Sequence, residues 1–341
     1  MTPVVVVTGC AGFIGSHLSE RLVAEGFHVR GVDAFRPYYP RSDKEANLAA
    51  LAGERRFELL ELDLATDALE PVVAGASVVF HLAAQAGVRG SFGSGFAEYV
   101  RDNVLATQRV FEAALTAGPR RVVWASSSSV YGDASEYPCR EGATPPAPRS
   151  PYGVTKHTCE QLAEVYRAQG LEAVGLRYFT VYGPRQRPDM ALRRLCEALV
   201  DGTPFPLYGD GSQSRDFTHV TDAVEATLLA ARATRPAPVY NVGGGEEARL
   251  ADVISTLESL AGRRAAIERR KAQRGDVRRT GADTSLAGRT LGWRPVVGLR
   301  PGLQSQLDWV RQRAEARRIP ARKDVLFAPR SRLRKRDGLS V

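Results

Sequence analysis

Tyr152 and Lys156 stand four residues apart in Ser150-Pro151-Tyr152-Gly153-Val154-Thr155-Lys156, and a serine run, Ser126 to Ser129, lies shortly upstream. Ser150 is a good N-cap and Pro151 suits the first helical position. The polar–apolar pattern from Tyr152 to Gln169 stops at Gly170, so the stretch reads as one helix. Tyr152 and Lys156 then share a face, and an ammonium one turn from a phenol favours the phenolate. A tyrosine so placed can act as a base. The same spacing also occurs where a half-buried aromatic merely sits beside a solvated charge, so the pair takes its meaning from its surroundings.

The surroundings are alternating strand and helix patterns. Val4 to Val7 is a continuous apolar run, the mark of a strand buried on both faces, and Phe13 to Ala24 has helical periodicity. Further strands are predicted over 29–33, 57–63, 77–81, 121–125 and 171–178, with a long helix over 97–117 ended by Gly118-Pro119. Repeated units of this kind imply an α/β fold: a doubly wound, Rossmann-type parallel sheet covered on both faces, with a smaller mixed α/β lobe. We assign residues 1–180 to the sheet domain, with 215–243 returning to it in part through the strand-like Val239 to Val242. Residues 181–214 and 244–313 form the second lobe. Its helices are expected over 190–199, 251–260 and 303–313, with a strand over 265–268.

At 341 residues, 43% hydrophobic and 25% charged, the chain has the composition of an ordinary globular protein. No apolar run approaches the ~18 residues that span a bilayer, and the opening strand does not have the form of a signal peptide. The expectation is a cytoplasmic protein with no membrane partner. Cys10, Cys139, Cys159 and Cys196 are scattered and show neither a disulfide framework nor a metal-ligand spacing, so no metal is expected. The net charge of +9 is localised: residues 311–341 hold 11 Lys and Arg against 3 Asp and Glu, leaving about +1 for the other 310. This argues against nucleic acid as a partner of the body of the protein and marks 314–341 as a basic, mobile tail.

Thr8-Gly9-Cys10-Ala11-Gly12-Phe13-Ile14-Gly15 lies between the first strand and its helix. Glycines at this spacing permit a tight turn, let a pyrophosphate approach the backbone and let helix and strand pack closely, while the helix N-terminus faces the anion. Asp33 ends the second strand, 18 residues after Gly15. A carboxylate there accepts hydrogen bonds from both ribose hydroxyls and repels a 2′-phosphate, favouring NAD over NADP. Asp63 ends the third strand, where it serves either an adenine amino group or the cap of the following turn.

In this order, Thr8 to Gly15, Asp33, His81-Leu82-Ala83-Ala84, Asn103, Ser126 to Gly132, Tyr152 to Lys156, Arg177-Tyr178-Phe179-Thr180, Arg215-Asp216-Phe217 and Gly275-Asp276-Val277 resemble the extended short-chain dehydrogenase/reductase family. The resemblance covers roughly residues 3 to 310 and is to its nucleotide-sugar epimerases and dehydratases. It implies Tyr152 as the base, Lys156 on the nicotinamide ribose and Ser127 on the reacting sugar hydroxyl. Gly9, Gly12, Phe13, Ile14, Gly15, Asp33, Asp63, Leu64, Ala83, Asn103 and Phe179 would hold a tightly bound NAD that is regenerated in each turnover. Arg215 would meet a diphosphate and Asp276 a uridine ribose. Relatives often carry an arginine three residues before this aspartate; here Gln273 stands there, with Arg274 beside it. Homodimers are usual in the family, through the 97–117 and Tyr152 helices, on which Val104, Val110, Phe111, Leu162 and Val165 suit pairing and equally a thick core.

Dehydratases of the family place Asp-Glu directly after the catalytic hydroxyl residue; this chain has Ser128 and Ser129. Hydroxyls instead suit a carboxylate on the sugar, which Arg187 in Thr180-Val-Tyr-Gly-Pro-Arg-Gln-Arg187 would pair as a bidentate fork. With Gln85-Ala-Gly-Val-Arg89, this stretch resembles UDP-glucuronate 4-epimerases. The substrate set is then Ser128, Ser129, Thr180, Arg187, Arg215, Asp276 and Arg89. UDP-glucose/UDP-galactose epimerisation, net 4-keto reduction and a non-catalytic NAD-binding role remain the alternatives, and Arg187 also reads as a loop charge.

Overall fold

The computed structural model describes residues 3–119 and 121–318. Six strands, β1 (Val4–Thr8), β2 (His28–Val32), β3 (Phe57–Leu60), β4 (Ala76–His81), β5 (Arg121–Ser127) and β6 (Ala173–Tyr178), join Val239–Val242 in one seven-stranded sheet. The order is Val239–Val242, β6, β5, β4, β1, β2, β3, and every pairing is parallel. Order reverses beside β1, so the crevice over the carboxyl ends of β1 and β4 is where this topology binds ligands.

Both sheet faces are buried, which is why Val4 to Val7 of β1 reads as an unbroken apolar run. Val5, Val7, Phe80, Val123, Val174 and Leu176 pack on one side with helix α1 (Phe13–Ala24) and the helix Val220–Arg232. Val6, Val79, Val122 and Trp124 pack on the other with Ala106, Val110, Phe111, Cys159 and Ala163. The second lobe has its own core, with Leu192, Leu195, Leu199, Phe205, Leu207, Val253, Leu257, Leu303 and Leu307 at its centre.

Two sequence expectations are revised. The helix over 97–117 is not uniform: Phe96–Tyr99 and Ala106–Ala117 are α-helical, but Val100–Leu105 is a π-helix. The last helix runs Leu299–Arg318 and so takes in the start of the basic segment; the rest of that segment lies outside the described residues. No helix among the described residues is long and apolar enough to cross a membrane, and none of their His, Cys, Asp and Glu residues form a metal-holding cluster.

His81, at the end of β4, is fully enclosed; Nδ1 meets Thr8 Oγ1 at 2.8 Å and Nε2 meets Thr107 Oγ1 at 3.0 Å. Burial, assisted by the Lys156 charge, lowers its pKa to about 3. The unfolded chain therefore takes up a proton below about pH 6.5 that the folded chain refuses, so this contribution is whole above 6.5 and is lost as pH falls from there toward 3. Between pH 7 and 5 the loss is about 2 kcal/mol. His17, lowered to about 4 by burial, adds to it, whereas Asp216, raised to about 6 by burial, has the opposite sign and weakens stability as pH rises through its range. Urea unfolding at the two pH values should show a smaller acid loss in His81→Gln than in the parent; parallel losses would rule His81 out as its source.

Candidate active site

The crevice is a cavity of about 450 Å³ that runs from the glycine-rich turn to the second lobe. At one end, the chain turns from β1 into α1 so tightly that a Cβ on Gly15 would lie 2.1 Å from the Gly9 carbonyl oxygen. No side chain caps α1 and no acidic residue stands in its first turn, so its amide end is left for an anion. Gly9, Gly12, Phe13, Ile14 and Gly15 line this end. Asp33 is buried beside it: Oδ2 accepts from the Ala11 amide at 3.2 Å and Oδ1 from the Phe35 amide at 2.8 Å, with Lys44 Nζ 3.3 Å away. A fixed carboxylate beside a free helix end suits a dinucleotide's ribose and pyrophosphate.

Asp63 also lines the cavity, but its oxygens have work: Oδ1 accepts from the Ala65 amide at 2.9 Å and Oδ2 pairs with Arg101. Burial is the largest single influence and would raise its pKa, yet the Arg101 bond, the Ala65 amide and the charges of Arg101 and Arg36 together outweigh it and hold the carboxyl below its ordinary range. Of the two roles open to Asp63, the cap of the following turn is the one its side chain performs, with the Arg101 pairing beside it. Leu64, Ala83 and Phe179 also line the cavity.

The middle of the cavity is built by the Tyr152 helix and the end of β5. Ser150 Oγ accepts from the Gly153 amide at 3.1 Å, the N-cap expected from sequence, and the helix runs Pro151–Ala168. Gly153 lets this first turn press onto the serine loop, since a Cβ there would sit 2.6 Å from the Ser129 carbonyl oxygen. Tyr152, Lys156, Ser127, Ser128 and Ser129 consequently line one cavity. Lys156 Nζ donates to the Ala125 carbonyl at 2.8 Å, and Ser127 Oγ accepts from the Ser129 amide at 3.1 Å. The Tyr152 ring packs edge-on against Tyr99, with centroids 6.1 Å apart.

Asn103 differs from the expectation. It is buried in the π-helical turn and does not line the cavity; its Oδ1 accepts from the Gln85 amide at 2.8 Å, and its Nδ2 donates to Gln85 O at 3.1 Å and to Thr155 Oγ1 at 3.0 Å. It fastens the loop after β4 to the Tyr152 helix from behind. A π turn re-aims side chains that a regular helix would direct elsewhere, and such turns gather at functional sites.

Thr180, Arg187, Arg215 and Asp276 line the far end. Arg187 is therefore not a surface loop charge; Asp189 pairs with it through two bonds of 3.0 Å. Burial opposes the Arg187 charge, but the Asp189 carboxylate outweighs it and raises the guanidinium pKa. Arg215 donates to the Ser214 carbonyl at 2.8 Å and has no carboxylate in salt-bridge range among the described residues; burial lowers its pKa. A half-buried cation on the cavity wall with no carboxylate partner suits an anionic ligand. Arg89 does not line the cavity: it lies over the Tyr208 ring at 4.2 Å and donates to Asp276 Oδ2 at 3.0 Å. Arg274 lies over Phe92 at 5.3 Å, so Arg89, not Arg274, is the arginine that meets Asp276. Lys44, Tyr38 and Asp189 were not anticipated; each comes from a loop or short helix with no motif to announce it.

The model of the NAD dependent epimerase/dehydratase family matches residues 5–243. An uncharacterised UDP-glucose epimerase of Bacillus subtilis, YtcB, is 41% identical over 309 residues, which are 90% of this chain and 97% of the relative. The crystal structure of UDP-glucuronic acid 4-epimerase from Bacillus cereus, in complex with UDP-glucuronic acid and NAD, superposes with a TM-score of 0.88 at 40% identity, covering 91% of this chain and 99% of the other. MoeE5, in complex with UDP-glucuronic acid and NAD, gives 0.82 at 44% identity over 91% and 99%. MoeE5 has also been crystallised with UDP-glucose and NAD.

Proposed function

The chain belongs to the NAD dependent epimerase/dehydratase family, and we propose that it interconverts UDP-glucuronate and UDP-galacturonate at C4 without loss of CO2. The observation that carries the choice of sugar is Arg187 on the cavity wall with Ser128, Ser129 and Thr180. One guanidinium and three hydroxyls on one cavity wall suit a carboxylate, and no acid–base pair for dehydration follows Ser127.

Gly9 to Gly15 and Asp33 would hold NAD, which when bound would supply a reversible hydride acceptor for C4 of the sugar. Tyr152 takes the proton of the C4 hydroxyl and later gives it back. Ser127 holds that hydroxyl, Lys156 orients the nicotinamide ribose, and Arg215 meets the diphosphate while the 4-keto sugar turns over. A 4-keto uronate is a β-keto acid and loses CO2 when its carboxylate bond aligns with the carbonyl π system. Ser128, Ser129, Thr180 and Arg187 keep it out of alignment.

The test is to incubate the protein, without added cofactor, with UDP-glucuronate and with UDP-glucose and to resolve the products by chromatography and proton NMR. UDP-galacturonate from the first alone is expected. UDP-galactose from the second would establish the neutral-sugar epimerase instead, a reading favoured by the Asp189 carboxylate that already balances Arg187. Arg187→Ala should raise KM for UDP-glucuronate by about 10- to 100-fold, the worth of a charged hydrogen-bonded pair, and release UDP-pentose. Unchanged kinetics would remove Arg187 from the site.

A homodimer through the two long helices is also proposed. Val110 and Phe111 are consumed by the core, but Phe96, Val100, Leu105, Val154 and Val165 are exposed on these helices. Sedimentation as a monomer at micromolar concentration would exclude the pairing.

A further inference from the structure

Arg187 has two edges with which to hold a carboxylate, and one is taken. Asp189 Oδ1 accepts from Nε at 3.0 Å and Oδ2 from Nη2 at 3.0 Å, a side-on fork. Nη1 has no hydrogen-bond partner among the described residues, so the end-on edge that it shares with Nη2 is left for a ligand. Arg187 lines the cavity with Tyr152, Ser128 and Ser129, whereas Asp189 does not.

Asp189 is itself held. Tyr38 donates its hydroxyl to Asp189 Oδ2 at 3.1 Å, and the Tyr38 ring centre lies 5.8 Å from the Arg187 guanidinium carbon. Gly87 allows this approach, because a Cβ there would stand 2.7 Å from the Tyr38 oxygen. A tyrosine from the segment after Asp33, on the dinucleotide side, thus clamps the aspartate that clamps the arginine.

We propose that Asp189, backed by Tyr38, is a positioning residue for sugar-acid recognition: it fixes Arg187 side-on so that the end-on fork meets the carboxylate. The proposal rests on UDP-glucuronate being the substrate. Arginine without such a partner must be ordered when the ligand binds, and that cost falls on affinity. It falls selectively on the acid, because a sugar without a carboxylate does not need the fork. The opposing view, that Asp189 competes with substrate for Arg187, requires the two carboxylates to want one edge; the free end-on edge makes that unnecessary.

Equilibrium binding of UDP-glucuronate, UDP-glucose and UDP to the holoenzyme, with kcat and KM alongside, tests this. Asp189→Ala should weaken UDP-glucuronate about tenfold, mainly in KM, with UDP-glucose and UDP changed less than about twofold. Tyr38→Phe, which removes one oxygen, should act in the same direction by about two- to threefold. The Arg187→Ala/Asp189→Ala double variant should bind UDP-glucuronate no more weakly than Arg187→Ala, since Asp189 acts through Arg187. Tighter binding by Asp189→Ala would establish competition and overturn the proposal. Equal weakening of all three ligands, or additive losses in the double variant, would reduce Asp189 to a structural role. A parent protein that binds UDP-glucuronate without epimerising it refutes the proposed reaction but leaves Asp189 to be judged by these affinities; a parent that does not bind it overturns both.

Discussion

Tyr152→Phe should lower kcat by about 10²- to 10⁴-fold, the worth of a positioned acid–base group, while affinity for the nucleotide sugar stays within a few-fold of the parent. The expectation follows from what the substitution leaves in place. The ring still packs edge-on against Tyr99, the Ser150 cap still starts the helix, and Lys156 still donates to Ala125 O at 2.8 Å. Only the hydroxyl is lost. Tyr99 does not replace it, because its own hydroxyl donates to the carbonyls of Ala86 and Gly87 at 3.2 and 2.8 Å. Single-turnover reduction of bound NAD, followed by absorbance on adding UDP-glucuronate, is the cleanest measurement. A variant that reduces NAD at the parent rate would remove Tyr152 from the chemistry and move the protein toward the non-catalytic reading.

What was legible in the sequence is what a few neighbouring residues decide. The apolar first strand, the glycine-rich turn and the Ser150-Pro151 helix start each depend on the backbone and side chains within one or two turns, and the structure places these three as read, whereas the strands expected over 57–63 and 171–178 are shorter, Phe57–Leu60 and Ala173–Tyr178. The π-helical turn at 100–105 was not legible, because its change of hydrogen-bond register leaves no mark in a pattern of apolar and polar residues. Its consequence was missed with it: Asn103 faces Gln85 and Thr155, not the cavity. Whether Val110 and Phe111 serve pairing or a thick core is not decided by the sequence, because the thickness of the layer above β5 is set by tertiary packing, in which Phe111 meets Trp124 with centroids 6.0 Å apart. Arg89, Tyr38 and Asp189 show the same limit at the site. Each has its partner or its target on a different loop, and loop-to-loop geometry is fixed by the fold as a whole.

Breaking one buried ion pair should do more damage to the fold than any other single change considered. Arg177 on β6 and Glu160 on the Tyr152 helix are both buried, joined by Nε to Oε1 and Nη2 to Oε2, each at 2.8 Å. Ser126 Oγ donates to the same Glu160 Oε1 at 2.7 Å, and Arg177 Nη1 donates to Tyr131 OH at 2.6 Å, which in turn donates to Asn241 Oδ1 at 2.8 Å. The chain brackets the serine loop: Ser126 precedes Ser127, and Tyr131 follows Ser129. Glu160→Ala would leave the Arg177 guanidinium enclosed with no carboxylate in salt-bridge range among the described residues, and removing one partner of such a pair costs about 3–5 kcal/mol. The pair itself is not expected to be worth that much, since its Coulomb attraction is set against the desolvation of both ions. Removing both charges together, as Glu160→Leu with Arg177→Met, should therefore be less destabilising than Glu160→Ala alone when urea midpoints are compared. Both variants should lose turnover even below their unfolding range, because the serine loop loses its anchor at Ser126. A double variant less stable than the single one would mean that the network, and not relief of an orphaned charge, governs stability here; full turnover in either folded variant would separate the network from the placement of Ser127.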